Sequence, residues 1–173
     1  MNEKTLTKSK IRLFLSSFSI VLLIFIDQYT KLLATNNFKG KQNLIIINHV
    51  LELTFLKNTG AAFSFMSNNS FFRIIMGIIT PIFCGFIIYL MIKIKKNGNY
   101  LILYSSFILI ISGAIGNYID RMLKKFVIDF IYFSLINFPV FNVADIYVCV
   151  GFFILILSII FSKDDLFDLK KNF

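Results

Sequence analysis

Ala144-Asp145-Ile146-Tyr147-Val148-Cys149-Val150-Gly151-Phe152-Phe153-Ile154-Leu155-Ile156-Leu157-Ser158-Ile159-Ile160-Phe161 is an apolar run with one charged residue, set in its first turn. Such a run matches the ~20 residues a helix needs to cross ~30 Å of hydrocarbon. A carboxylate at the mouth of a membrane span is costly and needs a reason. The fold and the chemistry both follow from that stretch.

Three further runs of similar character precede it, at about residues 13–34, 71–92 and 100–119. The first is interrupted near its end by Asp27, Gln28 and Lys31. No small-residue cleavage site follows it and the helical pattern continues through Lys31, so it reads as a span and not as a cleaved leader. The chain has 173 residues, 57% of them hydrophobic and 16% charged. A soluble domain of this length carries more charge. The size suits one integral membrane domain over residues 1–173.

A net charge of +9 raises the question of nucleic acid. The lysines, however, sit in short clusters beside the apolar runs, with no basic and aromatic interleaving, so they set topology and no nucleic-acid partner is expected. Lys4, Lys8, Lys10 and Arg12 precede span one, Lys93, Lys95 and Lys96 link spans two and three, and Lys163, Lys170 and Lys171 follow span four. By parity these segments share a side, which the positive-inside rule makes cytoplasmic, both termini included. The other side carries Lys39, Lys41 and Lys57 over a longer stretch, plus Arg121, Lys124 and Lys125.

Residues 35–70 and 120–143 therefore lie outside. In the first, Leu44-Ile45-Ile46-Ile47 and Val50-Leu51-Glu52-Leu53-Thr54-Phe55-Leu56 read as short strands around Asn48-His49. The expected fold is membrane α-helical: four transmembrane helices with a small extracytoplasmic β-sheet cradle between helices one and two. Cys84 and Cys149 lie inside apolar runs as packing thiols. His49, in a strand, is a surface or packing residue. No zinc-type spacing exists, and neither a metal nor a cofactor is expected.

The polar residues of the spans converge. Asp27 follows Arg12 by 15 residues, about 22 Å of helix at ~1.5 Å per residue, which puts it in the outer leaflet. Asn117, Asp120 and Arg121 stand at the outer end of span three, Asp145 opens span four, Asp129 lies in the loop between them, and Asn58 and Gly60 lie just before span two. Each has a plainer explanation. Asp27 and Lys31, at i and i+4, make an intrahelical ion pair. Asp120-Arg121 makes an interfacial pair. Ser112, Gly113, Ala114 and Gly116 make a packing face. Asn117 and Asn142 satisfy backbone groups, and Asp145 favours a helix N-terminus. Only their gathering at one face and one depth argues for a site.

On these residues the chain resembles the lipoprotein signal peptidase family, also called signal peptidase II, the aspartyl peptidase family A8. The matching motifs are Asp27-Gln28-x-x-Lys31, Asn58-Thr59-Gly60-Ala61-Ala62-Phe63, Gly113-x-x-Gly116-Asn117-x-x-Asp120-Arg121, Val127-Ile128-Asp129-Phe130 and Phe138-Pro139-x-Phe141-Asn142-x-Ala144-Asp145, in the family's order. Ser112 stands where the family often has a second glycine, and the segment joining the two aspartates is short for the family. The resemblance implies an aspartyl endopeptidase of the bacterial cytoplasmic membrane, active at its outer face. Its partners would be prolipoproteins whose lipobox cysteine carries diacylglyceryl, and membrane lipid. Cleavage falls just before that cysteine. It implies the catalytic pair Asp129 and Asp145, with Asp27, Lys31, Asn58, Gly60, Asn117, Asp120, Arg121 and Asn142 supporting or lining the site. It also implies inhibition by globomycin-type cyclic peptides. The chain is expected to act as a monomer.

The chemistry agrees with the resemblance. Amide hydrolysis needs an activated water and a protonated leaving nitrogen, and two close carboxylates sharing one proton supply both. A serine mechanism lacks a G-x-S-x-G elbow, and one distant histidine is a poor base for serine or cysteine. The rival class is an ion- or proton-coupled transporter, since buried carboxylates also serve as relays. Four spans without inverted repeats suit alternating access badly. A non-catalytic scaffold, the third class, gives no reason for Asp129 and Asp145 to share a depth.

Overall fold

The computed structural model describes residues 3–60, 70–94 and 101–161. Ala61, Ala62 and Phe63 of the second outer motif lie outside the described residues. The helices are α1 (Glu3–Phe38), α2 (Ser70–Lys93), α3 (Leu101–Lys124) and α4 (Val143–Ile160), and the strands are β1 (Leu44–Ile47), β2 (Leu51–Asn58) and β3 (Val127–Phe133). All four helices are long and apolar enough to span a membrane. Their outward faces expose large hydrophobic side chains, Phe14, Phe18, Phe25, Ile82 and Phe153 among them. That is the expected surface where the solvent is hydrocarbon.

α3 is the central helix and packs against α1, α2 and α4. Its apolar stripe, Leu103, Phe107 and Ile111, meets Ile87 and Met91 of α2 in the main core. α4 lies on the small-residue face expected from the sequence. A methyl group on Gly113 would overlap the Ala144 carbonyl, and one on Gly151 would lie 2.8 Å from Ile110 Cγ1. Close approach through small residues replaces the hydrophobic drive that lipid removes.

The helices run past the expected spans, because backbone hydrogen bonding does not stop where hydrocarbon does. α1 begins well before residue 13, and α3 ends at Lys124 and not at 119. Asp120 and Arg121 thus sit in the last turn of α3 and not in a connection. The sheet has three antiparallel strands in the order β1-β2-β3, one more than the outer segment between α1 and α2 supplies. β3 comes from the segment between α3 and α4, which reads as loop in the sequence, so Asp129 lies on a strand. His49 is not in a strand: it sits in the β1–β2 turn with φ 59° and is exposed.

The register decides which faces matter. Leu53 pairs with Ile131, but Leu56 pairs with Asp129 and Asn58 with Val127, so β2 carries one extra residue. Such a bulge re-aims the side chains beyond it. Leu56, Asn58, Val127 and Asp129 share one face of the sheet and line a cleft. Phe55, Phe126, Ile128 and Phe130 pack on the other side, with Ala34 and Phe38 of α1.

Candidate active site

The segment after β3 turns back on itself. Phe141 bridges Ile131, its carbonyl accepting from Phe130 N–H at 3.0 Å and Ile131 N–H at 2.9 Å. That return sets Asn142 under β3 as the N-cap of α4. Its Oδ1 accepts from Asp145 N–H at 3.1 Å, and Asp145 Oδ2 accepts from Asn142 N–H at 3.0 Å. This capping box satisfies two orphan donors at once. It also fixes the orientation of the Asn142 amide, because its oxygen is committed to the helix.

The Asn142 Nδ2 then points into the cleft. It donates to Asp129 Oδ1 at 2.6 Å and to Asn117 Oδ1 at 3.1 Å. Asn117 is oriented in the same way. Its Oδ1 also accepts from Lys31 Nζ at 3.0 Å, and its Nδ2 donates to Asp145 Oδ1 at 2.8 Å. Asp129 Oδ2 accepts a third amide, Asn58 Nδ2, at 2.8 Å, and Gly60 N–H holds Asn58 Oδ1 at 3.0 Å. Three asparagine amides are each locked by a donor on the oxygen side, so each presents N–H to a carboxylate.

Beneath this lies a charged layer. Asp27, Lys31 and Asp120 all have 0% exposure. Lys31 Nζ lies 2.9 Å from Asp27 and 3.2 Å from Asp120, and Lys124 lies 2.8 Å from the other oxygen of Asp120. The i,i+4 pair expected for Asp27 and Lys31 forms, but it is one side of a larger network. Asp27 Oδ1 also accepts from Ala144 N–H at 3.0 Å, and Asp120 Oδ2 accepts from Ile128 N–H at 3.2 Å. Buried charges persist only when paired and hydrogen-bonded. These bonds tie α1 and α3 to the starts of α4 and β3, the elements that carry Asp145 and Asp129.

Asp120 pairs with Lys31 and Lys124, not with its neighbour Arg121. Arg121 lines the cleft within electrostatic reach of Asp145 and Asp129 and makes no side-chain hydrogen bond among the described residues. Gly116 has no Cβ because one would meet the Asp27 carboxylate and Ala144 Cβ. Two partners lie beyond the residues expected to support or line the site, although Gln28 belongs to the first motif. Gln28 donates to Asp27 at 3.0 Å and to the Gly116 carbonyl at 3.1 Å. Lys124 is signalled only by its i,i+4 spacing to Asp120.

The cleft has a volume of about 850 Å³. Its deep wall carries Asn58, Asn117, Asp129 and Asp145, and its flanks carry Ile79, Phe83, Val148 and Phe138. Burial pushes the Asp129 carboxyl up to about 6. The Asp145 charge adds to that rise, while the Asn58 and Asn142 amides and the Lys31 ammonium oppose it. A carboxyl near neutrality beside a second carboxylate is suited to proton transfer.

Four membrane-length helices under a small sheet, with a carboxylate-bearing cleft where they meet, define a polytopic membrane enzyme. The family model described as signal peptidase (SPase) II matches residues 19–161, and the chain belongs to that family, whose function is removal of signal peptides from prolipoproteins. The lipoprotein signal peptidase of Streptococcus agalactiae serotype Ia is 40% identical over 139 residues, 80% of this chain and 87% of that one. That of Clostridioides difficile is 39% identical over 144 residues, 83% and 93% of the two chains. Two solved bacterial membrane enzyme structures obtained by the in meso method superpose with TM-score 0.73, at 28% and 31% identity, each over 87% of this chain and 93% and 94% of the other. Membership in a peptidase family disposes of the transporter and scaffold readings.

Proposed function

We propose that the enzyme is an aspartic endopeptidase whose catalytic pair is Asp129 and Asp145, and that it cleaves prolipoproteins just before a diacylglyceryl-bearing cysteine. The observation that carries this is the hydrogen-bonded pair Asn117–Asn142, which gives one amide N–H to each aspartate. Two carboxylates so joined hold one proton between them. Asp129, raised to about 6 by burial, is assigned the role of acid and Asp145 that of base.

Asp145 takes a proton from water, and the hydroxide oxygen bonds to the scissile carbonyl carbon. Asp129 donates its proton toward the carbonyl oxygen as the tetrahedral intermediate forms. That intermediate collapses: the C–N bond breaks, the nitrogen leaves with the proton held by Asp145, and a hydroxyl of the intermediate returns its proton to Asp129 as the carboxyl product forms. Arg121, which lines the cleft, stabilises the developing negative charge. Asn58, Asn117 and Asn142 hold the carboxylates; Gly60 orients Asn58; Asp27, Lys31 and Asp120 hold the elements that carry them. No step requires a metal.

The apolar flanks of the cleft suit a signal helix and two acyl chains entering from lipid. The clustering of basic residues supports cytoplasmic termini and a cleft at the outer face of the bacterial cytoplasmic membrane. The protein acts as a monomer of one domain, and a globomycin-type cyclic peptide would fill the cleft. The test is a cleavage assay on a lipidated precursor peptide, read by mass spectrometry. Asp129→Asn and Asp145→Asn should insert and fold yet lose at least about 10³-fold in kcat, as expected when an acid–base partner is removed. Full turnover in either variant would overturn the pair.

A further inference from the structure

The sheet has a second side. Where Leu56, Asn58, Val127 and Asp129 face the cleft, Phe55, Lys57, Phe126 and Ile128 face the opposite way and, with Leu32, Thr35, Lys39 and Lys124, enclose a separate pocket of about 200 Å³. Its chemistry is one-sided. Three lysines surround it, from β2, the end of α3 and the residue just after α1, and no acidic residue among the described residues lines it. The rest of the wall is mostly apolar.

Of the three, Lys124 is paired with Asp120, while Lys39 and Lys57 have no carboxylate partner among the described residues. Lys57 Nζ lies over the Phe126 ring at 5.0 Å, a cation–π contact that positions the charge without cancelling it. Lys124 is bound to Asp120 Oδ1, yet its side chain keeps 35% exposure, and the other Asp120 oxygen is taken by Lys31. Lys39 is exposed and has no carboxylate partner among the described residues. The pocket therefore holds an excess of positive charge beside apolar surface.

Its depth is set by the helices. Lys39 and Lys124 each lie five residues beyond the end of an apolar run, at about 34 and 119. At ~1.5 Å per residue that is about 7.5 Å past the hydrocarbon, within the headgroup layer. The anion abundant at that level, attached to apolar chains, is the phosphodiester of a phospholipid. Ammonium groups bind phosphate as point charges, and Leu32, Phe55 and Phe126 offer a surface for the glycerol and first acyl carbons.

We infer that this pocket binds the phosphodiester headgroup of an anionic phospholipid through Lys39, Lys57 and Lys124. The site is separate from the catalytic cleft and does not depend on the assignment of the aspartates.

The test is native mass spectrometry of the full chain in detergent, titrated with phosphatidylglycerol and separately with phosphatidylcholine. Phosphatidylglycerol should bind about tenfold or more tightly, and Lys39→Gln with Lys57→Gln should erase that preference, as each lysine near a membrane surface contributes severalfold. Lys39→Arg with Lys57→Arg should retain it, and Lys41→Gln with Lys125→Gln, the same charge removed outside the pocket, should leave it intact. Equal loss in the Lys41/Lys125 variant would overturn the site in favour of net charge. Displacement of the lipid by millimolar inorganic phosphate would overturn the lipid assignment. The precursor-cleavage assay on the Lys39/Lys57 variant reports the fold independently, so failure here leaves the catalytic reading standing, and the reverse.

Discussion

Asn142 Nδ2 donates to Asn117 Oδ1 at 3.1 Å, and each of the two amides also gives an N–H to a different aspartate. One residue comes from the last third of α3 and the other from the cap of α4. Their contact links two carboxylates from separate elements through one hydrogen-bonded chain.

Asn142 serves two purposes that substitution separates. Asn142→Ala removes the cap and the donor together, and should cost roughly 1 kcal/mol of stability, typical of a lost N-cap, along with most activity. Asn142→Asp keeps an acceptor for Asp145 N–H but sets a third carboxylate against Asp129. Because position 142 is fully buried, the variant should lose stability as pH rises and that carboxyl ionises, and should lose about 10²-fold or more in kcat. Thermal unfolding in detergent beside the cleavage assay reads both. Equal activity in the aspartate variant would show that the donated N–H is dispensable.

Lys31 neutralises two buried carboxylates, Asp27 at 2.9 Å and Asp120 at 3.2 Å. Lys31→Met leaves them facing one another without that cation. The loss should be on the order of 3–5 kcal/mol, the usual consequence of breaking a buried pair from one side. A triple variant combining Lys31→Met, Asp27→Asn and Asp120→Asn should recover part of it, since neutral partners need no counter-charge. Midpoint temperatures that fail to recover would assign the loss to packing.

The Asp129 carboxyl, raised to about 6, owes part of that rise to the Asp145 charge. Asp145→Asn removes the like charge, so Asp129 should ionise at a lower pH. Infrared titration of the carboxyl band measures this without needing activity, and an unchanged or higher midpoint would contradict the coupling. In the wild type, kcat/KM should fall as pH rises through about 6, where the shared proton is lost. The stability effect has the same sign. A carboxyl whose pKa rises on folding favours the folded state when protonated. Its contribution is complete below about pH 4 and is lost as pH passes about 6.

Gly116 has the Asp27 carboxylate and Ala144 Cβ where a side chain would start. Gly116→Ala should push α1 and α4 away from α3, at about 1–3 kcal/mol, the usual cost of overpacking. Because Asp27 also holds Ala144 N–H, next to Asp145, kcat should fall with stability. Gly85→Ala, where a methyl group meets nothing within 4 Å, is the matched control and should be neutral or stabilising.

Much of this is legible in the chain. The spans are readable because a helix in lipid must be apolar over a length set by the bilayer, whatever it packs against. The convergence of Asp27, Asn58, Asn117, Asp120, Asp129 and Asp145 follows from counting crossings. β3 is not legible in the same way, although Val127-Ile128-Asp129-Phe130-Ile131-Tyr132-Phe133 is rich in β-branched and aromatic residues. A strand has meaning only with a partner, and β2 lies far earlier in the chain: Asn58 and Asp129 are 71 positions apart. The small-residue face of α3 reads correctly as packing, while its role in admitting Asp27 is visible only in three dimensions.

The sequence by itself determined the solvent, the number of crossings, the family and the end of the bundle where polar groups gather, because hydrophobic length and residue order are one-dimensional properties. The tertiary structure alone decided which amide nitrogen faces which carboxylate, that Lys31 answers Asp120 as well as Asp27, and that the two faces of one sheet line a carboxylate-bearing cleft and a basic pocket. Those outcomes depend on register and on contacts across tens of residues, and a single inserted residue in β2 is enough to exchange the faces.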